Sequence, residues 1–115
     1  QKVENRMILA IVRMTMPLQR SGEVLKILKS LSEQCRDLPG CLGCHIYRDL
    51  QEKNVLVLEE VWRAQEDLDL HLRSEEYRNL LLVLEMGVKR PEIRFDTISS
   101  STGIETIEKA RSHAK

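Results

Sequence analysis

The sequence predicts an α+β fold in which an antiparallel four-stranded sheet carries helices on one face. Three observations predict it. Residues 7–16 and 54–62 are almost wholly apolar on both alternating faces, the mark of strands buried in the middle of a sheet. Two other stretches carry apolar residues at helical spacing. The segments follow one another as strand, helix, strand, strand, helix, strand, with only a polar QEKN turn between the second and third strands. That order is the ferredoxin-like βαββαβ arrangement.

The first strand, residues 7–16, reads MILAIVRMTM, with Arg13 and Thr15 its only polar members. Pro17 ends it, because proline has no N–H to give a ladder. Ser21 is the expected cap of the first helix, and Glu23 lies in the favoured first turn. Val24, Leu25, Leu28, Leu31 and Cys35 make one apolar stripe. Leu38-Pro39-Gly40 stops the helix. Residues 41–50 form the second strand. In the third, Val55, Val57, Glu59 and Val61 point one way and Leu56, Leu58, Glu60 and Trp62 the other. Gln65 opens the second helix, with Glu66, Asp67 and Asp69 near its positive end. Ser74 is placed to interrupt and recap that helix, and Tyr77, Leu80, Leu81 and Leu84 make the next stripe. Gly87 and Pro91 bracket the exit into a last strand, residues 92–99. Residues 7–98 are thus read as the folded domain. Residues 99–115 are a tail with a short helix expected over 104–114.

Composition excludes several classes. Lysine plus arginine number 18 and aspartate plus glutamate number 18, so no net charge draws the chain to nucleic acid or an acidic membrane. One tryptophan, two tyrosines and one phenylalanine are too few for a base-stacking surface. No apolar run approaches the roughly 20 residues of a membrane span, and QKVENRMILA lacks a signal-peptide layout. Three cysteines, an odd count, argue against a disulfide framework and for a reducing, cytoplasmic setting. Cys41 and Cys44 form C-x-x-C, but residues three apart on a regular strand face opposite sides, so neither pairing nor metal binding is expected of them. His45 and His113 lack neighbours that would make a metal site.

Two further expectations come from patterning. The chain's helices cover one sheet face. The other would expose Val55, Val57, Val61 and a row from the first strand, a patch that rarely faces water. A second copy in a two-fold homodimer is the simplest cover. Glu59 points to that face, with Arg13 as a candidate partner. On the opposite face a carboxylate, a large flat ring and an imidazole (Glu60, Trp62 and His71) come to one strand–helix junction and suggest a pocket wall.

The run PGCLGCHIYRD, then LEEVW, then DLDLHLRSEEYRNLL resembles the antibiotic-biosynthesis monooxygenase domain family. The matching residues are Pro39, Gly40, Gly43 and Tyr47; Glu60 and Trp62; His71, Leu72, Ser74 and Tyr77. The resemblance implies a dimeric α+β barrel, two ferredoxin-like sheets meeting face to face. It also implies an oxidation of small electron-rich aromatics (quinols, phenols, anthrones) by O2, typically without metal or flavin, so no cofactor is expected. The haem-degrading members resemble one another in an asparagine, a tryptophan and a histidine; this chain has Val12, Trp62 and Leu81 at those places, so only the tryptophan is kept, which disfavours haem chemistry. Polyketide-oxidising members carry an asparagine and a tyrosine where this chain has Leu58 and Leu68. Read beside the resemblance, His71 and Glu60, which share the junction with Trp62, are the candidate catalytic groups, and either could take the substrate's proton. Trp62, Leu58, Val12, Leu68 and Leu81 would line a pocket for a small aromatic or hydrophobic ligand. His71 is the favoured base, since an ordinary imidazole titrates near neutrality. The alternative is a non-catalytic dimeric module of the same fold that binds a ligand or scaffolds.

Overall fold

A computed structural model describes residues 6–113 of the 115-residue chain. The elements are β1 (Ile8–Thr15), α1 (Ser21–Arg36), β2 (Cys41–Arg48), β3 (Val55–Trp62), α2 (Gln65–Leu72), α3 (Glu75–Leu84), β4 (Glu92–Thr97) and α4 (Ile104–His113). The four strands form one antiparallel sheet in the order β2-β3-β1-β4. This is the ferredoxin-like α+β fold that the patterning predicts, with β1 and β3 central. The end of the expected tail helix at Ala114 lies outside the described residues. No helix among those described is long and apolar enough to cross a membrane.

Alternation along the two central strands builds the core. Ile8, Ala10, Val12 and Met14 of β1 and Leu56, Leu58, Glu60 and Trp62 of β3 are buried on the helix-covered face. Val24, Leu28, Leu31 and Cys35 of α1 and Tyr77, Leu80, Val83 and Leu84 of α3 close over most of this row. On the opposite face Leu9, Ile11, Val57 and Val61 are only half-buried. Val55, expected in that exposed row, is instead buried within its own chain.

Three local expectations are corrected. Ser21 does not cap α1. A 3-10 turn at Leu18–Arg20 leads straight into the helix, and the Ser21 hydroxyl donates to the Leu18 carbonyl at 3.0 Å. Arg13 is not the partner of Glu59. It lies opposite Val57 and pairs with Asp49 at 3.1 Å and Glu52 at 3.0 Å, while Glu59 stands between Ile11 and His45. Finally, a β-bulge between Cys41 and Gly43 breaks alternation in β2. Cys41 lies opposite Trp62 and Cys44 opposite Glu60, so both cysteines fall on the helix-covered face. An extra residue in one strand shifts everything beyond it by one position.

Candidate active site

Glu60, Trp62 and His71 meet under the corner where α2 gives way to α3. Glu60 is flanked across the sheet by Ala10 and Cys44. These are small side chains that leave depth for a polar group. His71 sits in the last turn of α2 and points back onto the sheet. Ser74 fixes the corner above it. The hydroxyl donates to the His71 carbonyl at 2.6 Å and accepts from the Tyr77 N–H at 3.1 Å, so Ser74 caps α3 as its position predicts.

The cluster is dry. Glu60 and His71 are each 2% exposed and Trp62 is fully buried. The Trp62 indole N–H donates to Glu60 Oε1 at 2.9 Å. His71 Nε2 stands 3.1 Å from Glu60 Oε2. A buried carboxylate is tolerable only when hydrogen-bonded, and here both oxygens have a partner. The His71 ring lies against Trp62 with centroids 4.8 Å apart, and it meets the Tyr77 ring edge-on at 5.1 Å. Nε2 is thus committed, whereas Nδ1 is the one buried side-chain polar atom among the described residues with no hydrogen-bond partner.

Two neighbours complete the surroundings. Cys35, at the end of α1, puts Sγ 3.9 Å from His71 Nε2 and 3.7 Å from Cys41 Sγ. The Cys44 thiol, burial and the nearby Glu60 charge all push the Cys35 thiol far up, so it stays protonated. Burial and then the Glu60 charge push the Tyr77 hydroxyl up to about 12. Cys35, Glu60 and His71 offer ligand atoms within 4.8 Å of one another, a mixed sulfur, nitrogen and oxygen set of the types that zinc accepts. Glu60 Oε2 and His71 Nε2 already meet each other at 3.1 Å, and a metal would need the Cys35 thiolate that its surroundings disfavour.

Of the residues that the sequence singles out, Glu60, Trp62 and His71 come together as a unit. Leu58 and Val12 sit beside each other on the same sheet face, and Leu68 is buried in the same core. Leu81 departs from the others. It is 47% exposed, because the helical period turns Tyr77, Leu80 and Leu84 inward and leaves Leu81 on the outer flank of α3. Cys35 and Tyr77 belong to the cluster, but the sequence reading gives neither a place beside His71: both enter it as members of apolar stripes, Tyr77 also as a residue of the resemblance. Spacing along a helix does not tell which stripe residue ends beside a distant histidine. A groove of about 520 Å³ between α1 and α3 contains none of the predicted site residues. Ile27, Leu31, Val83 and Met86 line it, with Lys26 and Glu76 at its rim.

The description of the antibiotic biosynthesis monooxygenase family matches residues 7–81, a span that holds the whole cluster. The chain belongs to the antibiotic biosynthesis monooxygenase family. A conserved protein from Methanosarcina mazei Go1 is 25% identical, with a TM-score of 0.75, over 80% of this chain and 92% of that one. Rv0793 from Mycobacterium tuberculosis is 19% identical, with a TM-score of 0.76, over 84% of this chain and 99% of its own. A solved antibiotic biosynthesis monooxygenase is 19% identical, with a TM-score of 0.73, over 81% of this chain and 99% of its own. The last two share the fold at this level of identity. No curated protein matches the chain. Family membership leaves the reaction to be argued from the cluster itself.

Proposed function

We propose that this chain is a monooxygenase that uses O2 to oxidise a small electron-rich aromatic hydroxyl compound, a quinol, phenol or anthrone. The observation that carries the reading is the unpartnered Nδ1 of buried His71. With Nε2–H donating to Glu60, the tautomer is fixed and Nδ1 keeps a free lone pair. A carboxylate behind an imidazole holds it in this form and stabilises the imidazolium produced when the far nitrogen takes a proton. Nδ1 then accepts the hydroxyl proton of the substrate. The resulting anion passes one electron to O2, the radical pair combines, and the hydroperoxide loses water to leave a quinone. One oxygen atom ends in the product and the other in water. The residues have only to hold a proton, exclude water and present aromatic walls, which His71, the buried surroundings, Trp62 and Tyr77 supply. This route calls for no metal, haem or flavin.

Glu60 and His71 are covered, so on this reading substrate enters as the α2–α3 corner opens, against an apolar bed of Val12, Leu58 and Leu68. The active form is a cytoplasmic homodimer. Leu9, Ile11, Val57 and Val61 support that part, because they line a half-buried sheet face that the chain's own helices do not cover. Oxygen uptake with a panel of hydroquinones and anthrones tests the reaction. His71→Ala should lower turnover by roughly two orders of magnitude or more, with the circular dichroism spectrum unchanged.

A second reading has an observation of its own: the near-complete burial of Glu60, Trp62 and His71. Such a cluster also suits a structural lock in a non-catalytic dimeric module that binds a small hydrophobic ligand or scaffolds. No uptake by the wild-type chain across the panel would put this reading ahead.

A further inference from the structure

Three thiols that the proposed chemistry does not use converge where α1 ends and β2 begins. The turn between them is held by the Leu38 N–H on the Cys35 carbonyl at 3.0 Å and the Cys41 N–H on the Leu38 carbonyl at 3.1 Å. Across it, Cys35 Sγ and Cys41 Sγ are 3.7 Å apart. That is sulfur–sulfur contact, which puts the two thiols within reach of each other. Cys41 donates to the Gly43 carbonyl at 3.5 Å, which leaves its lone pairs for Cys35. The two thiols differ in access. Cys41 is half-buried and lines a surface cleft of about 230 Å³ with Arg36, Cys44 and His45. Cys35 and Cys44 have no exposure. An oxidant entering the cleft meets Cys41, the one thiol of the three with exposure, and Cys35 Sγ lies 3.7 Å from its sulfur.

We propose that Cys35 and Cys41 form a reversible intramolecular disulfide on exposure to hydrogen peroxide, with Cys41 oxidised first and Cys35 resolving. The Cys41 sulfur bonds to one peroxide oxygen as the O–O bond breaks. The other oxygen leaves as water with the thiol proton, and Cys41 becomes a sulfenic acid. The Cys35 sulfur then bonds to the Cys41 sulfur, the S–O bond breaks, and a second water departs with the Cys35 proton. Two thiols are oxidised to one disulfide and one peroxide is reduced to two waters. A dithiol reductant reverses the step. The bridge draws Cys35 Sγ away from His71 Nε2, now 3.9 Å distant, and so links the thiol state of the cleft to the buried Glu60–His71 pair. Burial holds the Cys41 thiol above its ordinary range, so the reaction accelerates as pH rises and answers sustained rather than fleeting oxidant. The inference does not depend on the proposed monooxygenase activity.

The test treats the full chain with excess hydrogen peroxide and reads its intact mass and peptide map without reduction. The expected result is the loss of two hydrogen atoms, a Cys35–Cys41 linked peptide and full recovery with dithiothreitol. Cys41→Ser should abolish the link and Cys44→Ser should keep it. Cys44 is buried, so the wild-type map decides should that variant fail to fold. A Cys41–Cys44 link, a disulfide between chains, sulfinic acid on Cys41 without a bridge, or no change would each overturn the proposal. His71 ring resonances should move when the bridge forms. Unmoved resonances in the bridged protein would remove the link to the site.

Discussion

Glu60 is a buried carboxylate held by two ring N–H groups, and its charge is the quantity to test. Glu60→Gln keeps the side chain's length and still accepts from Trp62, but it cannot offset an imidazolium at His71. Oxygen uptake should fall by about tenfold or more while folding is retained, in keeping with a partner that supports the base. Tyr77 allows a test in which no catalysis is read. Its hydroxyl ionises at about 12 in the folded chain against an ordinary 10.0. The folded state keeps the proton longer than the unfolded state does. This contribution to stability is therefore complete below pH 10 and is lost as pH rises toward 12. Tyr77→Phe removes that dependence. The stability of wild type relative to the variant, from urea unfolding at a series of alkaline pH values, should decline across this window.

The corner between β2, α2 and α3 sets the positions of these groups. Gly40 has φ 82°, and a Cβ there would run into the Asp67 side chain in the first turn of α2. The left-handed conformation is costly for other residues, and the collision adds to it. Gly40→Ala should destabilise the fold by about 1–3 kcal/mol, seen as a lower urea midpoint with an unchanged slope. Ser74 separates α2 from α3, as its position in the sequence suggests, and ties the start of α3 to the His71 carbonyl. Ser74→Ala should cost about 1 kcal/mol as a lost cap. Because the same hydroxyl holds the turn carrying His71, amide exchange at Tyr77 should also quicken.

Two surfaces govern how whole molecules meet. The open face of the sheet carries Leu9, Ile11, Val57 and Val61 around the charged Glu59 and His45. Light scattering at micromolar concentration should give the mass of a dimer. Val61→Asp, which sets a charge in the middle of that face without touching the helix side, should shift the mass toward a monomer. α4 lies apart from the sheet, with each of its described side chains exposed, including Ile104 and Ile107. It helps raise the radius of gyration to 16.8 Å, against about 13 Å for a compact chain of this length.

Binary pattern, read with turn signals, gave the succession of elements, the doubly apolar character of β1 and β3 that suits the centre of the sheet, and the faces on which Glu60 and Glu59 lie. Those properties follow from local periods of two and 3.6, which every residue reports through its own polarity. The same reasoning brought Glu60, Trp62 and His71 to one junction, because a strand and the helix that follows it are joined by a short connection. It failed wherever the period breaks or a distant element intervenes. The bulge at Cys41 and Gly43 reverses the alternation that would have separated the two cysteines, and the only sign of it in the sequence is a glycine inside the strand, which strict alternation ignores. The exposure of Leu81, the burial of Val55 and the contact of Cys35 with both Cys41 and His71 depend on how α1 and α3 settle over the sheet. A side chain's own chemistry decides whether it is buried. Its neighbours are decided by packing among elements far apart in the chain, and for that reason the partners of His71 became visible only in the folded molecule.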